Sequence, residues 1–367
     1  MYKANTKEYK NLLRTCYNKK KPLYIAGGPG IGKSMIPLQL FQEIAEKEGL
    51  EFVRWDHSSR GEKEIYFENK EKYFVFCDQR LTQMDVTDLR GIPKMDADRV
   101  DPMPPSWVLY FCDENANGVI FFDEINLAPQ VVQNSAYQII NDRSMADMKL
   151  GDNVYCMAAG NRAEDKAFTF ELPLPLRDRF CELETFPDVE SWSEWAAGAK
   201  VNPHLISFIN WKHSYLYRIS ENGADKSTTP RGIARASELI EGGDITSNDA
   251  GILLSISVGE AFATEFQAYV KYYKSLNWTE IYKNPESIRS FDTSQLFAVC
   301  GGLAEHFQTD SKKFDPVINV IEFMRAEFAV MTLRMMRDAN PGTFKRLGQK
   351  NKKFVDKIAQ ELGKFII

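Results

Sequence analysis

The sequence is poor in the residues that build metal and disulfide sites. It has only four histidines and six cysteines in 367 residues, and no two cysteines form a Cys-x-x-Cys pair. Because zinc sites draw their ligands from clustered cysteine and histidine, no zinc site is predicted. The cysteines are expected to be reduced thiols in mostly apolar surroundings, as in a cytoplasmic protein.

The chain also lacks an excess of basic charge and any long apolar run. Its 46 lysines and arginines are outnumbered by 51 aspartates and glutamates, for a net charge of −5. A general attraction to nucleic acid or to an anionic membrane is therefore not expected. No run is long enough to span a bilayer, and the lysine-dotted first residues do not have the apolar core of a signal peptide.

The chain does have enough apolar residues, 44% of the total, to bury sizeable cores in two or three domains. Short apolar strands alternate with helical patterns up to about Glu184, which predicts an α/β fold with a parallel sheet. After Pro187 helical patterns dominate to the end of the sequence. The run from 145 to 161 predicts a hairpin that turns near Gly151 and Asp152.

A glycine-rich segment, "GGPGIGKS", fits G-x-x-x-x-G-K-[ST] and lies between a predicted strand and a predicted helix. Its glycines let the backbone wrap a phosphate, and the helix N-terminus adds positive potential. Lys33 is predicted to reach the β- and γ-phosphates, and the Ser34 hydroxyl to ligate Mg²⁺. The alternative, a turn with a chance lysine, is disfavoured by the complete motif. The predicted nucleotide-binding residues here are Gly27, Gly28, Pro29, Gly30, Ile31, Gly32, Lys33, Ser34 and Met35.

Two later strands also end in polar side chains. "VIFFDE" brings Asp123 and Glu124 to a strand end, where α/β sheets place ligands. Asp123 is predicted to hold Mg²⁺ through its water shell, and Glu124 to orient or deprotonate the attacking water. "MAAGN" ends in Asn161, whose amide suits a position between the γ-phosphate and that water. Taken alone, Asn161 after glycine would more often be a turn residue.

A pair of arginines in "LPLPLRDRF" follows these strands. An arginine far along the chain from the phosphate loop could supply a guanidinium to the γ-phosphate of a neighbouring subunit. The alternative is a surface ion pair of Arg179 with Asp178 or Glu182, which would contribute little. Charge and spacing alone leave the two interpretations equal.

Taken together, these segments resemble the MoxR branch of the AAA+ ATPases. The segments that carry the resemblance, within about residues 20 to 245, are "GGPGIGKS", "LTQMDVTDLRGIP", "VIFFDEINLAPQVVQNSAYQIINDR", "AAGNRAED", "LPLPLRDRF" and "STTPRG".

The resemblance implies a ring, commonly a hexamer, that binds ATP and Mg²⁺ at each subunit interface. The phosphate loop then matches the Walker A motif. Asp123 and Glu124 match the Walker B motif, and Asn161 matches sensor 1. The arginine finger falls on Arg179, with Arg177 as the reserve, and sensor 2 falls on Arg231. Without the family, Arg231 would be an ordinary helix-start arginine.

The resemblance also implies a domain plan. It comprises a P-loop AAA+ α/β domain over 1–187, an all-α lid carrying sensor 2 over 188–245, and a C-terminal helical region over 246–367. A helix-2 insert corresponds to about 91–105, and a hairpin before sensor 1 to about 144–157. Solvated surface loops are the alternative for both. The segment 51–73 looks like extra material before the usual second strand.

The implied function is that of a chaperone-like remodeller or activator of a protein complex. A partner carrying a von Willebrand factor type A domain is the kind of partner that the resemblance implies. Two alternatives remain open: a nucleic-acid-associated motor and a nucleotide-gated scaffold with little turnover. The acidic balance disfavours the first, although the basic cluster 344–353 could contact phosphates, and the intact Glu124 disfavours the second.

Overall fold

The computed structural model describes residues 1–96, 99–145, 148–162, 170, 172–220 and 225–351. It divides into two compact units, Met1–Phe186 and Pro187–Ile367. The further predicted division at residue 245 stays a prediction.

The first unit alternates strands with helices. Its strands are β1 Tyr2–Ala4, β2 Leu23–Gly27, β3 Glu51–Arg54, β4 Tyr73–Arg80, β5 Ile92–Asp96, β6 Arg99–Met103, β7 Asn117–Asp123, β8 Ser144–Met145, β9 Met148–Lys149, β10 Val154–Gly160 and β11 Cys181–Thr185. Its helices are α1 Thr6–Asn18, α2 Met35–Glu48, α3 Arg60–Glu68, α4 Val86–Arg90, α5 Ser106–Phe111, α6 Gln130–Asp142 and α7 Leu174–Arg177.

Seven of these strands form one sheet in the order β1-β11-β2-β10-β7-β4-β3. Every pairing in it is parallel. The central strands β2 and β10 are buried along their whole length, as expected for a parallel sheet covered on both faces. The predicted α/β fold with a parallel sheet is confirmed, and the carboxyl ends of β2, β4, β7 and β10 meet at one edge.

Local sequence signals explain several helix boundaries. Asn5 and Glu8 form a reciprocal capping box that starts α1. α2 ends at Gly49, which adopts a left-handed conformation with φ 73°. Between β3 and β4, in the segment 51–73, lies the helix α3, which the sequence pattern did not predict. Its start carries a capping box of Ser59 and Glu62.

The predicted hairpin near Gly151 and Asp152 is wrong in its turn. The antiparallel pair joins β8 to β9 with Met145 opposite Met148, and β10 is a separate strand between β2 and β7. The buried run of β10 needs neighbours on both sides, so it cannot serve as one arm of an isolated hairpin. Within residues 91–105, β5 and β6 pair as a two-stranded antiparallel ribbon.

The second unit is helical. Its helices are α8 Val189–Gly198, α9 Pro203–Trp211, α10 Pro230–Leu239, α11 Asn248–Val258, α12 Glu260–Ser275, α13 Trp278–Lys283, α14 Thr293–Thr309, α15 Phe314–Ile321, α16 Ala326–Ala339 and α17 Pro341–Lys350. Across its described residues the strand-like pairing is a single bridge between Arg218 and Thr228. The predicted helical C-terminal region is therefore confirmed. Of the helices that the structure describes in either unit, none is long and apolar enough to cross a membrane.

Candidate nucleotide site

The loop between β2 and α2 is organised around the ammonium group of Lys33. The lysine is buried, and its Nζ donates to the carbonyl oxygens of Gly27 at 2.7 Å and Gly28 at 2.8 Å. It also donates to the side-chain oxygen of Asn161 at 2.9 Å. The sequence places Lys33 and Asn161 far apart, and the sheet brings their side chains together.

The glycines of this loop fit the close approach of a ligand. A Cβ on Gly27 would lie 2.6 Å from Ile31 Cδ1 and 3.0 Å from the carbonyl oxygen of Thr185. Gly30 and Gly32 have φ values of 72° and 100°, which side chains other than glycine rarely adopt. The backbone of the loop thus follows a path that residues larger than glycine would hinder. Of the other predicted binding residues, Pro29 is exposed and Met35 begins α2 with 49% of its surface exposed.

Ser34 and Asp123 meet across the edge of the sheet. The Ser34 hydroxyl donates to Asp123 Oδ2 at 2.7 Å, and Asp123 is largely buried at the end of β7. A hydroxyl and a carboxylate are oxygen donors of the kind that Mg²⁺ prefers, and Mg²⁺ usually takes only one or two protein ligands beside phosphate oxygens. The pair therefore fits the predicted Mg²⁺ site. Within the described part of the chain no group of three His, Cys, Asp or Glu residues could hold a metal by itself.

Asn161 is held by a residue that sequence reasoning missed. The buried side chain of Asn126 donates to the Asn161 carbonyl at 2.7 Å and accepts from the Asn161 N–H at 3.0 Å. A side-chain amide that pairs with both backbone groups fixes the chain just after β10. Asn126 lies two residues after Glu124 in the sequence, but no local pattern identifies its target.

Glu124 has an unusual backbone and a polar partner. Its φ of 57° and ψ of 31° are left-handed, and its N–H donates to Asp123 Oδ1 at 2.9 Å. The Thr82 hydroxyl donates to Glu124 Oε2 at 2.7 Å. Arg80 pairs with Asp123 in the parallel register, which brings the residues after β4 beside those after β7. Thr82 was not identified from the sequence because its signal depends on this register.

Tyr9 of α1 contacts the backbone at the end of the phosphate loop. Its fully buried hydroxyl donates to the Lys33 carbonyl at 3.0 Å. Burial, and then the negative charge of Asp123, raise the pKa of Tyr9 well above its ordinary value. The hydroxyl therefore keeps its proton and remains a donor to the loop.

A third carboxylate, Asp78 on β4, lies close enough to the site to interact with Asp123. Its side chain is 8% exposed, and its Oδ2 lies 3.9 Å from Arg54 and 4.0 Å from Arg80. Its buried Oδ1 has no hydrogen-bond partner among the residues that the structure describes. Burial, followed by the charges of Asp123 and Asp56, raises the pKa of Asp78 to about 6. Asp78 is therefore charged, and adds negative potential beside Asp123, mainly above about pH 6.

Arg177, the last residue of α7, and Arg179, two residues later, differ in their contacts. Arg177 forms a two-pronged pair with Glu182, with Nε–Oε1 at 2.8 Å and Nη2–Oε2 at 2.9 Å. The ion pair that the sequence suggested for Arg179 is therefore made by Arg177 instead. The Arg179 side chain is exposed and makes no ion pair or side-chain hydrogen bond with the described residues. Its role as a finger stays a prediction.

Arg231 lies in the first turn of α10 in the second unit, after the N-cap Thr229 and Pro230. Its side chain is exposed. Its predicted role as sensor 2 stays a prediction. Part of the "AAGNRAED" segment, residues 163–165, lies outside the described residues.

The first unit thus gathers an ammonium group, a hydroxyl, two consecutive carboxylates and an amide at one edge of its sheet. Such a set can neutralise phosphate charge, hold Mg²⁺ and orient a water molecule.

Comparisons with known proteins give distant similarities only. No protein-family model matches the chain, and no curated protein matches it. The chain is similar to the Thermotoga maritima RuvB Holliday junction branch migration motor, at 17% identity over 85% of each chain and a TM-score of 0.30. It is similar to the Aeropyrum pernix ORC2 protein, at 10% identity over 94% of each chain and a TM-score of 0.38. It is also similar to NtrX from Brucella abortus in complex with ATP, at 12% identity over 96% of this chain and 67% of that one, with a TM-score of 0.35.

Proposed function

We propose that this chain is a Mg²⁺-dependent ATPase of the AAA+ class that works as a ring and remodels a protein assembly. The observation that carries the proposal is the convergence of Lys33, Ser34, Asp123, Glu124 and Asn161 at the carboxyl edge of one parallel sheet. Residues from three separate strand ends meet there, in the order that the resemblance to MoxR-type proteins implies.

Each side chain has a role that its contacts support. Lys33 would exchange its bonds to the loop carbonyls for bonds to phosphate oxygens, and Ser34 and Asp123 would hold Mg²⁺. Bound Mg²⁺–ATP supplies a polarised γ-phosphoryl group with ADP as its leaving group. Glu124 accepts a proton from the attacking water, and Asn161 orients that water while Asn126 keeps its backbone in place.

The exposed Arg179 supports the proposal of a ring. Its guanidinium has no partner among the described residues of its own chain, whereas Arg177 is engaged by Glu182. An arginine that contacts the phosphoryl group during its transfer accelerates hydrolysis by about 10³-fold or more. We therefore propose that Arg179 completes the site of a neighbouring copy, with a hexamer as the expected ring.

The β5–β6 ribbon supports a protein partner over a nucleic acid. Met95 is opposite Val100 and Pro93 is opposite Pro102, so these four side chains share one face. All four are exposed, with Met95 at 82% and Val100 at 59%. An exposed apolar face suits an apolar protein surface and offers nothing to a phosphate backbone. A partner with a von Willebrand factor type A domain remains the class that the resemblance suggests.

The decisive experiment is ATPase activity per chain across a range of protein concentrations. The parent is expected to gain specific activity as the ring assembles. Arg179→Ala should bind a fluorescent ATP analogue as tightly as the parent yet lose about 10³-fold in rate. Arg60→Ala removes an exposed arginine of α3 and is the matched control, which should behave as the parent.

Mixing two inactive variants tests the trans role of Arg179 directly, because Glu124→Gln chains cannot hydrolyse ATP but retain Arg179. If Arg179 acts on a neighbour, adding Glu124→Gln chains to Arg179→Ala chains restores hydrolysis. Flat specific activity together with an active Arg179→Ala variant would reject the trans role. Absence of hydrolysis at every concentration in the parent, despite ATP binding, would favour the nucleotide-gated scaffold.

The partner proposal has its own test. An unfolded, carboxymethylated model protein should stimulate the ATPase of the parent. The double variant Met95→Ser and Val100→Ser should retain basal activity and lose the stimulation. Lys94→Ser changes the opposite face of the ribbon and should retain both. Stimulation by DNA instead, falling steeply with salt, would favour the nucleic-acid motor.

A further inference from the structure

Asp78, near the end of β4, has a buried carboxylate to which the proposed function gives no role. Its side chain is 8% exposed, and its buried Oδ1 accepts no hydrogen bond from the residues that the structure describes. A carboxylate oxygen in this position is unfavourable, because it has lost water without gaining a donor. Since buried polar groups are nearly always paired in folded proteins, we expect a donor from outside the chain.

The two arginines beside Asp78 do not supply that donor. Arg54 Nη2 lies 3.9 Å from Asp78 Oδ2, and Arg80 Nε lies 4.0 Å from the same oxygen. Both distances are too long for a hydrogen bond. Arg54 donates to the carboxylate of Asp56 instead, and the Arg80 side chain is more than half exposed. The arginines therefore lower the cost of the negative charge but leave Oδ1 without a partner.

The strand order shows on which side of Asp78 this oxygen lies. β4 lies between β3, whose last residue is Arg54, and β7, whose last residue is Asp123. Because Oδ2 is the oxygen that faces Arg54, Oδ1 is on the other side of the carboxylate, away from β3. The strand on that side is β7, which carries the proposed Mg²⁺ ligand.

Asp78 and Asp123 lie on the same face of the sheet. Asp78 is opposite Phe121, and Arg80 is opposite Asp123, in the parallel register of β4 and β7. Because residues two apart on a strand share a face, Asp78 and Asp123 are diagonal neighbours with Cα atoms about 8 Å apart. Burial, and then the charge of Asp123, raise the pKa of Asp78, which agrees with this closeness. One water molecule can link two oxygen atoms up to about 5.5 Å apart, and that suits two carboxylates on this spacing.

The proposed Mg²⁺ ligands are few. The Ser34 hydroxyl and Asp123 Oδ2 lie 2.7 Å apart and are the two protein oxygens assigned to the ion. Mg²⁺ gives up its water reluctantly, so a site with one or two protein ligands retains several water molecules. Those water molecules donate hydrogen bonds outward, and a carboxylate is a strong acceptor for them.

We propose that Asp78 is a positioning residue for Mg²⁺, whose Oδ1 accepts a hydrogen bond from a water molecule that the ion retains beside Asp123. This inference rests on the proposed Mg²⁺–nucleotide site. Asp78 gains its missing donor only when the site is loaded, so the cost of burying its charge falls on the metal-free chain. The difference between the two states favours metal binding. Asp78 contacts neither the nucleotide nor the reacting atoms and is not a catalytic residue.

The test measures metal affinity without turnover. The full chain with saturating ADP is titrated with Mn²⁺, which takes oxygen ligands as Mg²⁺ does, and free Mn²⁺ is followed by its electron paramagnetic resonance signal. Competition by Mg²⁺ then gives the Kd for Mg²⁺. Because losing such an outer hydrogen bond weakens metal binding by about 10–100-fold, Asp78→Asn should raise both Kd values at least about tenfold.

Two controls separate this role from a structural one. ADP binding in excess chelator should stay within about twofold of the parent in Asp78→Asn, because Asp78 acts through the metal. A merely structural role would change stability and ADP binding but not the Kd for Mn²⁺ alone. Glu51→Gln removes an exposed carboxylate at the other end of β3 and should leave the Kd for Mn²⁺ unchanged.

The outcomes distinguish this inference from the proposed function. If the parent binds ADP and Mn²⁺, and Asp78→Asn binds Mn²⁺ within about twofold of it, the role of Asp78 is overturned and the nucleotide site stands. A parent that binds neither would reject the nucleotide site and this inference with it. If Asp78→Asn does not fold, Asp78→Ser, which also removes the carboxylate, is measured in its place and decides in the same way.

Discussion

The Thr82 hydroxyl donates to the carboxylate of Glu124 at 2.7 Å, so the group proposed to activate water is engaged by the segment after β4. Glu124 itself is held in a left-handed conformation at the end of β7. The Thr82 hydroxyl therefore occupies one oxygen of the proposed base and fixes the direction in which this carboxylate points.

Replacing Thr82 with valine keeps the shape of the side chain and removes the donor. A carboxylate released from this hydrogen bond, which is worth about 1.5–3 kcal/mol, can turn toward the attacking water, so basal ATPase activity should rise about tenfold or more. Steady-state phosphate release measures the change. Thr87→Val alters an exposed threonine of α4 and should leave the rate alone. A fall in rate for Thr82→Val would show instead that the hydroxyl holds Glu124 in its working position.

The contacts of Thr82 illustrate what the sequence could and could not predict. The side chains of Lys33, Ser34, Asp123 and Asn161 were predicted because each follows an apolar strand or belongs to a complete local motif. Such signals lie within a few residues of one another. The partners Thr82 and Asn126 act across strands, so they depend on a register that only the folded sheet defines.

The fold shows the same limit. The parallel sheet followed from the alternation of apolar strands and helical patterns, and the helical second unit followed from the loss of strand signals after Pro187. The α3 helix was missed although Ser59 and Glu62 formed a readable capping box. The hairpin was misplaced because a buried strand and a hairpin arm look alike in a short apolar run.

Asn126 offers a second prediction, because it pairs with both backbone groups of Asn161. Asn126→Asp keeps the shape but sets a carboxylate oxygen against the Asn161 carbonyl. At neutral pH this should lower the free energy of unfolding by about 2–3 kcal/mol and reduce ATPase activity more than tenfold. Urea unfolding and phosphate release measure the two effects. Asn11→Asp, on the exposed face of α1, is the control and should change neither.

A third prediction concerns the glycine that precedes Asn161. A Cβ on Gly160 would lie 2.4 Å from Asn126 Oδ1 and 2.5 Å from the Tyr24 hydroxyl. Gly160→Ala should therefore cost about 1–3 kcal/mol of unfolding free energy. Gly61→Ala, in α3, meets nothing within 4 Å and should gain about 0.4–1 kcal/mol. Equal effects of the two variants in urea unfolding would show that the crowding around Gly160 relaxes freely.

The last prediction follows from the raised pKa of Asp78. Its folded pKa of about 6 exceeds the ordinary value of 3.8, so the folded protein binds this proton more tightly than the unfolded chain does. Between about pH 4 and pH 6 the folded state holds more protons, and the free energy of unfolding should fall as the pH rises through that window. A shift of this size corresponds to about 3 kcal/mol at most. Asp78→Asn should remove this part of the slope, whereas Asp152→Asn, an exposed carboxylate, should keep it. Urea unfolding of the parent, Asp78→Asn and Asp152→Asn at pH values on both sides of the window measures the pH dependence of the unfolding free energy. An unchanged slope in Asp78→Asn would mean that neither the burial of this carboxylate nor its nearness to Asp123 is felt in stability.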